Sequence, residues 1–265
     1  MRAMPIRVRS GHGGLIQMKA SFRKNWLHYL QEALGLAIFM VSACSFAVIL
    51  ESKMSFVHLA LPDEFLRRVL MGIVMGLTAL FIFYGPWTSP SGSHINPAVT
   101  LSFLYLDRIC PWDAVFYILA QFIGGVLAVL LMQWIIGAAL TDLPVSSVVT
   151  VPGKTGLWPA FFTELFIAFG TMTMVLFTSD HRVLKKCTRP AAGILVALYV
   201  IIAGPISGFG MNPARSFASA VPAHTYTAFW MYMMAPVLGM LAATMLYSRI
   251  RPVQQMVKNK ENIGL

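Results

Sequence analysis

Two short stretches hold most of the residues in this sequence that can do chemistry. Residues 91–100 read Ser-Gly-Ser-His-Ile-Asn-Pro-Ala-Val-Thr, and residues 207–216 read Ser-Gly-Phe-Gly-Met-Asn-Pro-Ala-Arg-Ser. Asn96 and Asn212 are favoured helix N-caps; Pro97 and Pro213 suit the first helical position, where no backbone donor is lost, and Ala98 and Ala214 follow. A capping asparagine still has amide N–H groups to offer a passing oxygen, and the helix behind it presents roughly half a positive charge at its N-terminus. Arg215 follows on a neighbouring face of the second helix. Glu32 and Glu164 sit inside long apolar runs, and His94 precedes the first box. Such groups recognise a polar oxygen and repel cations. They lack the marks of bond-making chemistry: the chain contains no H-E-x-x-H, G-x-S-x-G or P-loop pattern. His58, His181 and His224 lie too far along the chain to give His94 a partner at metal-ligand spacing. His94 therefore reads as a hydrogen-bonded structural residue, and neither metal nor cofactor is expected.

The elements that position these groups must lie in lipid. Charged residues make up 11% of the 265 residues, the apolar fraction is 57% and mean hydropathy is +0.71, whereas a soluble domain carries about 25% charged residues. Cys44, Cys110 and Cys187 are scattered singly and form no disulfide framework. The net charge of +10 does not signal nucleic acid, because fourteen of the twenty Lys and Arg fall before Trp26, between Ser179 and Pro190, or after Ser248. Basic clusters in short loops and tails mark the cytoplasmic face of a membrane protein and its affinity for anionic headgroups. Arg67 and Arg68 are a small exception on the opposite side.

Six runs approach the ~20 apolar residues needed to cross a bilayer: Leu27–Leu50, Val69–Gly85, Ala114–Ile136, Trp158–Thr178, Ala191–Ile206 and Ala228–Tyr247. The first is too long, and lacks the cleavage site, for an ordinary signal peptide. Residues 1–26 are expected to be a disordered basic cytoplasmic tail in which Met18 is an alternative start. Residues 27–250 form one domain, and 251–265 a second cytoplasmic tail. Asn96–Leu106 and Asn212–Val221 are half-length runs; irregular backbone at membrane depth is tolerated only when buried in protein or lining a wet cavity. The halves, about 27–137 and 158–248, repeat. Glu32 matches Glu164, and each Asn precedes an Ala-(Gln/Pro)-x-x-Gly segment, at Gln121 and Pro236, by 25 or 24 residues. With three spans per half, the second copy is inserted upside down, and the half-helix N-termini meet near the midplane. The expected fold is an all-α membrane protein of six spans and two half-helices with an inverted internal repeat.

Two Asn-Pro-Ala boxes in matching half-spans, each preceded by Ser-Gly and the second followed by Arg215, resemble the major intrinsic protein family of aquaporins and aquaglyceroporins. The resemblance runs from Leu27 to Tyr247 and implies an aquaporin-like right-handed bundle, one pore per subunit and a homotetramer in the cell membrane. It further implies that Glu32 and Glu164 accept hydrogen bonds from backbone N–H groups ahead of each half-helix. Arg215, Val200, Phe209 and either Met75 or Gly76 would form a selectivity constriction. Val200 stands where water-selective members usually carry His, and Phe209 where glycerol-passing members often carry an aromatic. Ser216, Ala220 and Tyr232 look water-type, whereas Met233 fits neither pattern. A passive water channel that excludes protons and ions is the first expectation. A channel for glycerol, hydrogen peroxide, ammonia or metalloid acids is the second, and an ion-coupled transporter or intramembrane enzyme the third.

Overall fold

The computed structural model describes residues 13–263, so Arg2, Arg7 and Arg9 of the expected tail lie outside the described residues. Among the described residues, six helices are long and apolar enough to cross a membrane: Gly14–Glu51, Glu64–Tyr84, Pro111–Ile136, Leu157–Ser179, Thr188–Ser207 and Phe229–Ile250. At about 1.5 Å per residue, the shortest, of 20 residues, spans roughly the 30 Å hydrocarbon core. The helix ends follow local chemistry. Asp63 caps the second span by accepting the Leu66 N–H at 2.8 Å, and Pro111 opens the third. Among the described residues there is no strand.

The tail expectation is corrected for residues 13–26, which continue the first span as helix (Gly13–Glu51). Polarity hid this extension. Ser21 Oγ and Asn25 Nδ2 donate to the Asp113 carboxylate on the third span, at 2.6 Å and 3.0–3.1 Å, and the Tyr29 hydroxyl joins them at 2.6 Å. Backbone helix also continues past residue 250 to Ile263.

Two half-length helices, Pro97–Tyr105 and Pro213–Ala220, complete the fold. The first span packs on the third, the fourth on the sixth, and the second on the fifth. The first half-helix packs on the sixth span and the second on the third, so each repeat inserts its half-helix into the other. Glycines allow the closest approaches. A Cβ on Gly124 would lie 2.3 Å from the Ala33 carbonyl oxygen, and one on Gly239 would lie 2.3 Å from that of Leu165. Ala33 and Leu165 directly follow Glu32 and Glu164, so both repeats press helix backbone against helix backbone at the carboxylate.

Candidate functional site

Each half-helix begins as its cap dictates. Asn96 Oδ1 accepts the Ala98 N–H at 2.8 Å, and Asn212 Oδ1 accepts those of Ala214 and Arg215 at 3.0 and 3.3 Å. The amide nitrogens reach across the repeat boundary. Asn96 Nδ2 donates to the Met211 carbonyl at 2.9 Å, and Asn212 Nδ2 donates to the Ile95 carbonyl at 2.7 Å.

The chain ahead of each box follows one plan. Ser93 and Ile95 have φ of 50° and 42°; Phe209 and Met211, at the equivalent positions, have φ of 52° and 39°. A left-handed conformation at a non-glycine residue costs about 1–3 kcal/mol, so both loops need support. Glu32 accepts from the His94 and Ile95 N–H groups at 2.9 and 2.6 Å, and from Ser91 Oγ and Gln121 Nε2 at 2.6 and 2.8 Å. Glu164 accepts from the Gly210 N–H at 2.7 Å, from the Met211 N–H, and from Ser207 Oγ at 2.6 Å. Both carboxylates are fully buried, and these donors replace the water they lose. His94 stacks on Phe103 with ring centroids 4.8 Å apart, and its Nδ1 lies 3.2 Å from Thr100 Oγ1.

Sequence reasoning missed Tyr117 and assigned no contact to Tyr232. Their hydroxyls donate to the Ser91 and Ser207 carbonyls at 2.8 and 2.6 Å. Tyr117 lies 26 residues after Ser91 and Tyr232 lies 25 after Ser207. Those offsets, which differ by one residue, were a readable signal.

The two asparagines line a cavity of about 370 Å³ together with Arg215 and Phe209. Its walls come from single helix faces at four-residue spacing: Thr171, Val175 and Ser179 on the fourth span, Thr188, Ala192 and Val196 on the fifth, and Ala79 and Phe83 on the second. Lys185 and Arg189 stand at the end where the fourth and fifth spans are joined. Arg215 Nη1 is buried and has no hydrogen-bond partner among the described residues. Met75 and Val200 lie one turn beyond Ala79 and Val196, in the apolar cluster that holds Phe209 and Met211. Gly76 faces the fifth span instead, where a Cβ would lie 2.8 Å from the Gly193 carbonyl oxygen. Among the described residues, no three of His, Cys, Asp and Glu gather into a metal-binding group.

A cavity that runs from the Lys185–Arg189 end to the capped helix tips and Arg215 is the geometry to set beside known proteins. The profile of the family described as MIP, Major intrinsic protein, matches residues 19–247. The chain belongs to the major intrinsic protein family. Members of this family are channels, and the six apolar helices make this chain a multi-pass membrane protein. Among its relatives, the probable aquaporin NIP-type of Nicotiana alata is 36% identical over 181 residues, which cover 65% of this chain and 64% of the relative. Aquaporin NIP1-2 of Arabidopsis thaliana is 32% identical over 71% of this chain and 66% of its own length. Aquaporin NIP2-2 of Zea mays is 37% identical over 61% of this chain and 53% of its own. The chain thus spans between half and two thirds of the length of these relatives. The X-ray structure of the aquaglyceroporin from Plasmodium falciparum superimposes with a TM-score of 0.69 at 19% identity, covering 87% of this chain and 98% of the other. That likeness is one of fold.

Proposed function

We propose that this major intrinsic protein is a passive conduit for small uncharged solutes that carries water and also admits compact polyols of glycerol size. One observation carries the reading: the buried, unpartnered Nη1 of Arg215 shares a cavity wall with the Phe209 ring. A solute hydroxyl can take the guanidinium hydrogen bond while its carbon skeleton rests on Phe209 and Val200. Val200 supplies no donor, so the constriction has one strong polar contact rather than two. The names of the NIP-type relatives and the aquaglyceroporin neighbour support a small-solute channel.

In this reading, Asn96 and Asn212 hand a solute from one half-helix tip to the other. The two positive helix ends, with Arg215, repel cations and orient each water so that a proton cannot hop through. Met75, not Gly76, completes the constriction, and Glu32 and Glu164 brace the loops without titrating. We also propose that both termini face the cytoplasm of a cell membrane and that four copies assemble, each with its own pore.

A strict water filter is the second reading, favoured by Met75, which is only 2% exposed and lies one turn from the cavity-lining Ala79. Stopped-flow light scattering on proteoliposomes separates the two. Shrinkage in sucrose measures water; re-swelling in glycerol measures the polyol. Fast shrinkage with no re-swelling beyond that of empty vesicles would leave only the water filter.

A further inference from the structure

We infer that the cavity mouth between the fourth and fifth spans is an anion site for a phosphoryl group, and that an anion held there obstructs the conduit. Lys185 and Arg189 both line this mouth, and both are exposed. Arg189 is held with its guanidinium carbon 5.2 Å from the centroid of the Tyr84 ring, which fixes its direction. None of the ion pairs among the described residues involves either cation. The nearby carboxylate of Asp180 is already engaged by Arg108 Nη2 at 2.5 Å and by the Tyr247 hydroxyl. The fifth span opens here without a side-chain cap and without an acidic residue in its first turn, so its own first turn brings no negative charge to the two cations.

A phosphoryl group matches this mouth because its oxygens accept charge-assisted bonds from an ammonium and a guanidinium together. Two sources offer the same chemistry: an anionic lipid headgroup folding over the rim, and a soluble phosphate. Because the two cations line the cavity rather than the outer wall, a bound anion stands in the path of the solute. This inference rests on the conduit reading for its effect on flux, but not for binding itself.

The test uses the full chain in proteoliposomes and in nanodiscs, with Lys185→Gln/Arg189→Gln beside it and each protein serving as its own reference. One arm titrates inorganic pyrophosphate; another compares phosphatidylcholine vesicles with and without phosphatidylglycerol. Binding of labelled pyrophosphate and osmotic shrinkage are read separately. The expectation is saturable binding that falls about tenfold or more in the double variant, and a slowing of flux by the anion that the variant loses. Slowing by phosphatidylglycerol alone would assign the site to the bilayer, and slowing by pyrophosphate to a soluble anion. No binding in either arm, or equal binding by the variant, overturns the site; binding that leaves flux unchanged overturns the obstruction. A protein that binds pyrophosphate yet conducts nothing under any condition refutes the conduit reading instead. Arg189→Lys keeps the charge and should retain binding, which guards against a misfolded double variant.

Discussion

Asn96 and Asn212 are bonded through each other's repeat: each amide donates to the carbonyl of the residue just before the other asparagine, at 2.9 and 2.7 Å. Each side chain therefore does three jobs. Its oxygen caps its own half-helix, one N–H ties the two halves together, and the second N–H is left for the cavity.

Asn212→Ala should remove a cap and a cross-repeat bond at once. The cap alone is worth about 0.5–2 kcal/mol and a neutral hydrogen bond about 1 kcal/mol. Thermal unfolding in detergent should fall clearly below wild type, and water flux should drop. An unchanged unfolding temperature would remove the tie from consideration.

Glu164→Gln tests the bracing of the second loop. Glu164 accepts from Ser207 and two backbone N–H groups, whereas a glutamine would turn two hydrogens toward them. Leaving a buried backbone N–H unmatched costs about 1–3 kcal/mol. The variant should be less stable and slower, and its residual flux should remain independent of an imposed proton gradient. Gradient-driven flux in the wild type would point to proton coupling instead.

Arg215→Val should keep neutral-solute flux and weaken cation exclusion. Losing about 1.4 kcal/mol of barrier raises a leak about tenfold. A pH-sensitive dye inside proteoliposomes under an imposed potential reads this directly. A leak equal to that of wild type would displace Arg215 from the constriction.

Met75→Ala and Gly76→Ala should separate by kind. The first widens the passage, so re-swelling in glycerol should gain on shrinkage in sucrose. The second pushes a Cβ to 2.8 Å from the Gly193 carbonyl oxygen, and overpacking of this sort costs about 1–3 kcal/mol. Poor yield, not altered selectivity, is its expected signature. The opposite pattern would exchange the two assignments.

The spans were legible because twenty apolar residues have few alternatives to a bilayer, and the half-helices because Asn-Pro at a helix start has a plain local meaning. Their meeting was legible from three spans per repeat. What escaped depended on distant partners. Ser21 and Asn25 look like tail residues until Asp113 of the third span accepts their donors. Met75 and Gly76 are adjacent, and only the direction of the second span decides that Met75 joins the apolar cluster around Phe209 while Gly76 faces the fifth span. Ile95 and Met211 are ordinary apolar residues in the sequence; nothing local announces the left-handed conformations that Glu32 and Glu164 stabilise.

The glycine contacts at Gly124 and Gly239 have a consequence for how such a protein could diversify. A carbonyl oxygen cannot change rotamer to make room, so the depth at which Glu32 and Glu164 enter the molecule is set by main chain touching main chain. The centre of the protein is thereby a fixed frame. In the proposed conduit, tuning for a different solute would fall to side chains such as Met75, Val200 and Phe209, which pack in the apolar cluster beside this frame.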